Sequence, residues 1–145
     1  MEAVILVGIQ GAGKSTFYRR RFFETHVRLN LDMLRTRARE SILLEACLRA
    51  RQPFVVDNTN VRAADRARYI APARAAGFRV TGYYFVPDAR ASLARNLARE
   101  GKRAVPAAGV FGTLKRLEPP GLEEGFDALY LVRPLEDEDF EVRPA

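Results

Sequence analysis

The stretch AVILVGIQGAGKST, from Ala3 to Thr16, constrains this chain more than any other part of it. A short apolar run gives way to three closely set glycines, a lysine and a serine. Glycine loses more backbone freedom on folding than any other residue, so such a cluster costs stability unless a backbone shape demands it. The spacing from Gly8 to Ser15 is G-x-x-x-x-G-K-S. In that pattern the backbone wraps so that its N–H groups converge on phosphate oxygens. Lys14 then reaches the β- and γ-phosphates, and the Ser15 hydroxyl faces Mg²⁺. The helix opening after Gly13 turns its positive end toward the anion. A preceding strand and a following helix are the context that separates this motif from a chance glycine-rich turn. The nucleotide contacts expected are Gly8, Gly11, Ala12, Gly13, Lys14, Ser15 and Thr16.

The rest of the chain alternates. Ala3 to Gly8, Val27 to Asp32, Phe54 to Asp57, the stretch RVTGYYFV and Asp127 to Val132 read as five strands. Between them, residues 33–50, RAADRARYIAPARAAG and ARASLARNLARE carry helical apolar periods. Pro72 predicts a kink or break, Gly77 a helix end and Asp88 an N-cap. Strands alternating with helices predict an α/β fold: a five-stranded parallel sheet with helices on both faces. Ligands of such sheets bind beyond the carboxyl ends of the strands. Residues 101–125 are rich in glycine and proline, with a short helix expected over Ala107 to Leu117, and a lid is expected over about 95–125. The acidic stretch EDEDFEVRPA at 136–145 reads as a solvated tail.

At 145 residues the chain fits one compact domain, here spanning 1–145. Its formal net charge is +6, and 21 of its 24 basic residues are arginines. Guanidinium groups grip phosphate oxygens in a bidentate fork, so the excess suits phosphate-rich partners. Compositional bias accounts for the same total. Cys47, the one cysteine, falls in an apolar series and reads as core. His26, the one histidine, has no second histidine to build a metal cluster with and receives no role. No apolar run approaches the roughly 18 residues of a membrane span. The expectation is a soluble cytoplasmic protein without a secretory signal.

Four further positions carry candidate chemistry. Asp57 ends the third strand, where an acidic residue can hold Mg²⁺ beside Ser15; it is equally placed to cap a turn in DNTN. Asp32 ends the second strand on the same rim as the loop, with Arg35 one helical turn on. It could take the proton of an attacking hydroxyl, or serve as a helix cap ion-paired to Arg35. Arg95 and Arg99 lie four apart on one helix face before the expected lid. There they either neutralise a transferring phosphoryl group or stand as solvated surface arginines.

The stretches GIQGAGKST, NLDMLR, VVDNTN, RARYIAPARAAGF, RNLAR and AVP, followed by EGFDALYLV, together resemble the kinase domain of the polynucleotide 5′-hydroxyl kinases. These are the phage end-healing kinases and the animal kinase–phosphatases. The resemblance runs from about Ala3 to about Val132. It implies a phosphate-loop kinase domain that uses ATP and Mg²⁺ to phosphorylate a 5′-hydroxyl of DNA or RNA. It also implies Asp32 as general base, Arg35 on the acceptor strand's phosphate, and Arg95 with Arg99 in the lid over ATP. The only D-x-D is Asp137-Glu138-Asp139, without the following glycine and threonine, so no phosphatase activity is expected. The family's longer acceptor-binding and oligomerisation regions are missing too, and oligomeric state is not legible here. The ATP machinery would equally serve a small-molecule kinase acting on a nucleoside, sugar or antibiotic hydroxyl. A non-enzymatic nucleotide switch is the third reading.

Overall fold

The computed structural model describes residues 1–98 and 106–145. Among them six strands form one sheet: β1 (Glu2–Val7), β2 (Val27–Leu29), β3 (Phe54–Asp57), β4 (Arg79–Phe85), β5 (Ala128–Pro134) and β6 (Phe140–Pro144). Their spatial order is β2-β3-β1-β4-β5-β6. The first five run parallel, as expected, and β6 pairs antiparallel with β5. The sheet therefore has six strands rather than five, and the tail is not merely a solvated end. The cause lies within that tail. Phe140 and Val142 alternate with Glu141 and Arg143, so one face is apolar and the other charged. The Phe140 ring meets Phe17 edge-on at a centroid distance of 5.1 Å. Charged residues on the outer strand blunt the open edge of the sheet.

β1 is the hub. Ala3 through Val7 are fully buried, as the central strand of a sheet covered on both faces must be. Its alternate residues feed two cores. Ala3, Ile5 and Val7 pack with Leu44 and Cys47 of α3 (Arg37–Ala50) and with Tyr69, Ile70 and Ala73 of α4 (Ala63–Ala75). Val4 and Leu6 face Phe17 and Tyr18 of α1 (Lys14–Arg21) and Val110 of α6 (Ala107–Arg116). Cys47 is a core residue, as read from the sequence.

Three local expectations change. The second strand stops at Leu29. Asn30 then accepts from the Met33 N–H and caps a short helix α2 (Leu31–Leu34), so Asp32 sits in a helical first turn rather than at a strand end. The helix expected over 33–50 is two pieces. Arg35 ends α2 with φ of 77°, and Thr36 caps α3 by accepting from the Arg39 N–H. Two good N-caps six residues apart outweigh a continuous apolar period. Pro72 lies inside α4, which continues only to Ala75 before Gly77, at φ 79°, turns the chain. Asp88 caps α5 (Ala89–Leu97) through the Ala91 N–H, as expected. The expected lid falls partly outside the described residues, at 99–105. Among the described residues no helix is long and apolar enough to cross a membrane.

Candidate active site

The carboxyl ends of β1, β2 and β3 converge on one cleft of about 1060 Å³. The phosphate loop forms its floor. Gly11 and Gly13 adopt φ of 75° and 99°, a left-handed region that disfavours any side chain, which explains two of the three glycines. Gly8 answers a different need. A Cβ there would stand 3.0 Å from the Cβ of Phe85 on β4. The Gly8 N–H donates to the Thr59 carbonyl, tying the loop to the DNTN turn.

Lys14 is buried, and its ammonium donates to the Gly8 and Ile9 carbonyls at 2.9 Å each. The lysine thus folds back onto its own loop. Ser15 Oγ donates to Asp57 Oδ2 at 2.9 Å. Two hard oxygens at the mouth of a phosphate loop fit Mg²⁺, which takes one or two protein oxygens and completes its octahedron with water and phosphate. Asp57 is only 2% exposed, so its carboxylate needs a partner of opposite charge. Arg28 supplies it: Nε donates to Asp57 Oδ2 at 2.9 Å, Nη2 stands 2.8 Å from the same oxygen in an ion pair, and Nη2 donates to Ser15 Oγ at 3.0 Å.

Ser15, Thr16, Asp32, Arg35 and Arg95 all line this cleft, together with Gly11 and Gly13 of the loop. Gly8, Ala12, Lys14 and Asp57 stand behind that lining. Asp32 is exposed, and Asn30 holds the cap position it might have filled. No ion pair joins Asp32 to Arg35 among the described residues. Both features of the structural alternative for Asp32 are therefore absent there. Arg95 Nε donates to the Gly11 carbonyl, which brings α5 against the loop. Arg99 lies outside the described residues. His26 contacts Glu2 at 2.9 Å, at the opposite end of β1 from the loop, and holds the Glu2 carboxyl below its usual range.

Several residues escaped the sequence reading. Arg28 is one; a cation between two apolar residues in the strand VRL was its only trace. Another set holds the Asp32 turn from below. Asn58 Oδ1 accepts from the Leu31 N–H at 2.9 Å, and its amide donates to Glu40 Oε2 at 3.0 Å. Glu40 is 1% exposed and also accepts from Tyr69 Oη and Arg37 Nη1. Burial, reinforced by the Glu40 carboxylate, pushes the Tyr69 hydroxyl up to about 12. Gln10 in the loop donates to Thr113 of α6 at 2.9 Å. Glu138, from the turn before β6, lines the cleft as well.

A sequence model described as an AAA domain matches residues 4–120 of this chain. The protein belongs to that AAA domain family. The match takes in the phosphate loop, the Asp32 turn, Asp57 and α6. Solved structures agree on the fold. Kti12 of Chaetomium thermophilum, solved in complex with ADP-AlF₃, superposes with a TM-score of 0.68 at 14% identity, over 94% of this chain and 90% of that one. A gluconokinase from Sinorhizobium meliloti gives 0.64 at 18% identity, over 91% and 82%. A chain of the PezAT toxin–antitoxin system of Streptococcus pneumoniae gives 0.65 at 14% identity, over 95% and 69%. This AAA domain protein therefore has a phosphate-loop, kinase-like α/β fold, which implies nucleotide binding.

Proposed function

We propose that the protein is an ATP- and Mg²⁺-dependent phosphotransferase whose acceptor is a hydroxyl on a small molecule bearing an anionic group. One observation carries this reading: the exposed Asp32 carboxylate lines the same cleft as the phosphate loop and Ser15. A pure nucleotide switch has no use for a base on that side.

The loop N–H groups and the first turn of α1 bind the β- and γ-phosphates. Lys14 leaves the Gly8 and Ile9 carbonyls and turns to the phosphates. Ser15 and Asp57 would hold Mg²⁺, which when bound neutralises charge on the β- and γ-phosphate oxygens. Asp32 takes the proton of the acceptor hydroxyl as its oxygen bonds to the γ-phosphorus. The bond from that phosphorus to the β-phosphate oxygen breaks in line, and ADP departs. Arg35, five residues from the Asn30 cap and exposed at the rim, binds the acceptor's anion. Arg95 neutralises the phosphoryl group in flight. Arg99 joins it only by the resemblance to polynucleotide kinases. Position and charge supply the rate, since phosphoryl transfer asks little covalent work of the protein.

A second reading makes the acceptor the 5′-hydroxyl of DNA or RNA. The presence of Asp32 and Arg35 on one cleft favours it, because Arg35 could grip an acceptor-strand phosphate. γ-Labelled ATP offered with phosphorylated sugars, sugar acids, nucleosides and 5′-hydroxyl oligonucleotides separates the two. Label on small anionic acceptors supports the first reading. Label on oligonucleotides that fades steeply as salt rises supports the second, through counterion release. Label on none of them overturns both.

A further inference from the structure

Asp57 Oδ2 accepts two hydrogen bonds, from Ser15 Oγ and from Arg28 Nε, and Arg28 Nη2 lies 2.8 Å from the same oxygen in the ion pair. Those two donors occupy both lone pairs of that oxygen and leave none free for a cation. Ser15 gives its proton to Asp57 and accepts from Arg28 Nη2, which leaves its hydroxyl one lone pair. The guanidinium also stands 5.9 Å above the Tyr18 ring. Arg28 itself lines the cleft, so it has room to leave. A positive group thus lies on the two oxygens best suited to hold Mg²⁺.

We infer that Arg28 is an internal counter-ion that fills the cation position in the nucleotide-free protein and is displaced when Mg²⁺ arrives with nucleotide. The inference rests on the reading of Ser15 and Asp57 as the metal ligands. The physical reason is the burial of Asp57. A carboxylate removed from water must be paired, and without metal only a side chain can do it. A divalent cation on Asp57 Oδ2 cannot share that atom with the guanidinium. Arg28 therefore keeps the empty cleft folded and sets how much free cation is needed to arm it.

The test uses the full chain with ADP and Mn²⁺ as the metal probe, read by electron paramagnetic resonance. Arg28→Met removes the competing charge while keeping a stem of similar length. It should bind Mn²⁺ roughly tenfold to a hundredfold more tightly than the unaltered protein, the worth of the lost charge-assisted bonds. Its melting temperature without metal should fall, and saturating Mn²⁺ should restore most of the loss. Arg28→Lys should lie between, since it keeps a charge but loses the fork. A readout on the unaltered protein removes dependence on folding of the variants. The Arg28 Nε–H resonance should move when Mg²⁺ is added to the ADP complex, and stay still when ADP is added alone. Equal Mn²⁺ affinity with a motionless resonance would overturn the displacement and leave the metal ligands standing. Absence of Mn²⁺ binding in every variant overturns the metal reading and the inference together.

Discussion

Replacing Glu40 with glutamine probes the support beneath the Asp32 turn. The glutamate is 1% exposed and accepts from three donors: Arg37 Nη1 at 2.9 Å, Tyr69 Oη at 2.8 Å and Asn58 Nδ2 at 3.0 Å. Glutamine keeps the shape and one acceptor oxygen but turns the other position into an NH₂. Pointed at Asn58, that NH₂ opposes another donor. If the Asn58 amide flips to accept it, the Leu31 N–H loses the oxygen it now donates to. Either way one bond is lost, and the half-exposed Arg37 and the buried Tyr69 lose a charged acceptor. The cost is about 2–4 kcal/mol, the range for charge-assisted bonds and for breaking buried pairs. For a chain of this size that lowers the melting temperature by about 5–15 °C. The turn carrying Asp32 loosens too, so kcat should fall roughly tenfold or more through misplacement of the base. KM for ATP should hold, because the phosphate loop is untouched. Thermal melts and steady-state rates of Glu40→Gln measure both effects. An unchanged melt with unchanged kcat would refute the claim that this buried network positions Asp32.

Lys14→Ala should lose about 10³-fold or more in transfer rate, since in the proposed mechanism its ammonium turns to the transferring phosphate; near-normal turnover would remove the loop from the mechanism. Arg35→Gly relieves a backbone held at φ 77°, so the melting temperature should hold or rise slightly while KM for the acceptor climbs. Should the acceptor KM stay put, Arg35 is not an acceptor contact. Tyr69 holds its proton more tightly folded than unfolded, its hydroxyl standing near 12 against an ordinary 10.0. Its contribution is complete below about pH 10 and drains away toward pH 12. Urea midpoints across that window should drop further for the unaltered protein than for Tyr69→Phe, and parallel curves would count against the hydrogen bond to Glu40.

The sequence spoke clearly where the structure is local and buried. β1 and β3 are near-continuous apolar runs because a parallel sheet covered on both faces hides them, and β4 and β5 are apolar runs that lie partly buried beside them. The phosphate loop was legible because all of its atoms come from one contiguous stretch. β6 was hidden by charge: four acidic residues precede Phe140 within the turn, and the period-two signal spans only Phe140 to Arg143. The break at Arg35 was masked by an apolar period that crosses it, while the caps that cause it are two ordinary polar residues, Asn30 and Thr36. Arg28 and Glu40 were invisible for a different reason. Each meets its partner 29 residues away, Asp57 in one case and Tyr69 in the other. Nothing in a local pattern announces contacts made only when β2, β3, α3 and α4 are assembled. The resemblance to polynucleotide kinases singled out Asp32, Arg35 and Arg95, which the structure brings to one cleft, and the family match supports the broader phosphate-loop fold alone.

The central claim is that one cleft binds ATP through the Gly8–Ser15 loop and deprotonates an acceptor with Asp32. Its most direct test is transfer of the γ-phosphoryl group from labelled ATP to a mixed pool of hydroxyl acceptors, run beside Asp32→Asn. The account predicts labelled acceptor with the unaltered protein and almost none with Asp32→Asn, while both bind ATP equally well. Equal labelling by the two proteins would contradict it, because the carboxylate would then take no part in the transfer.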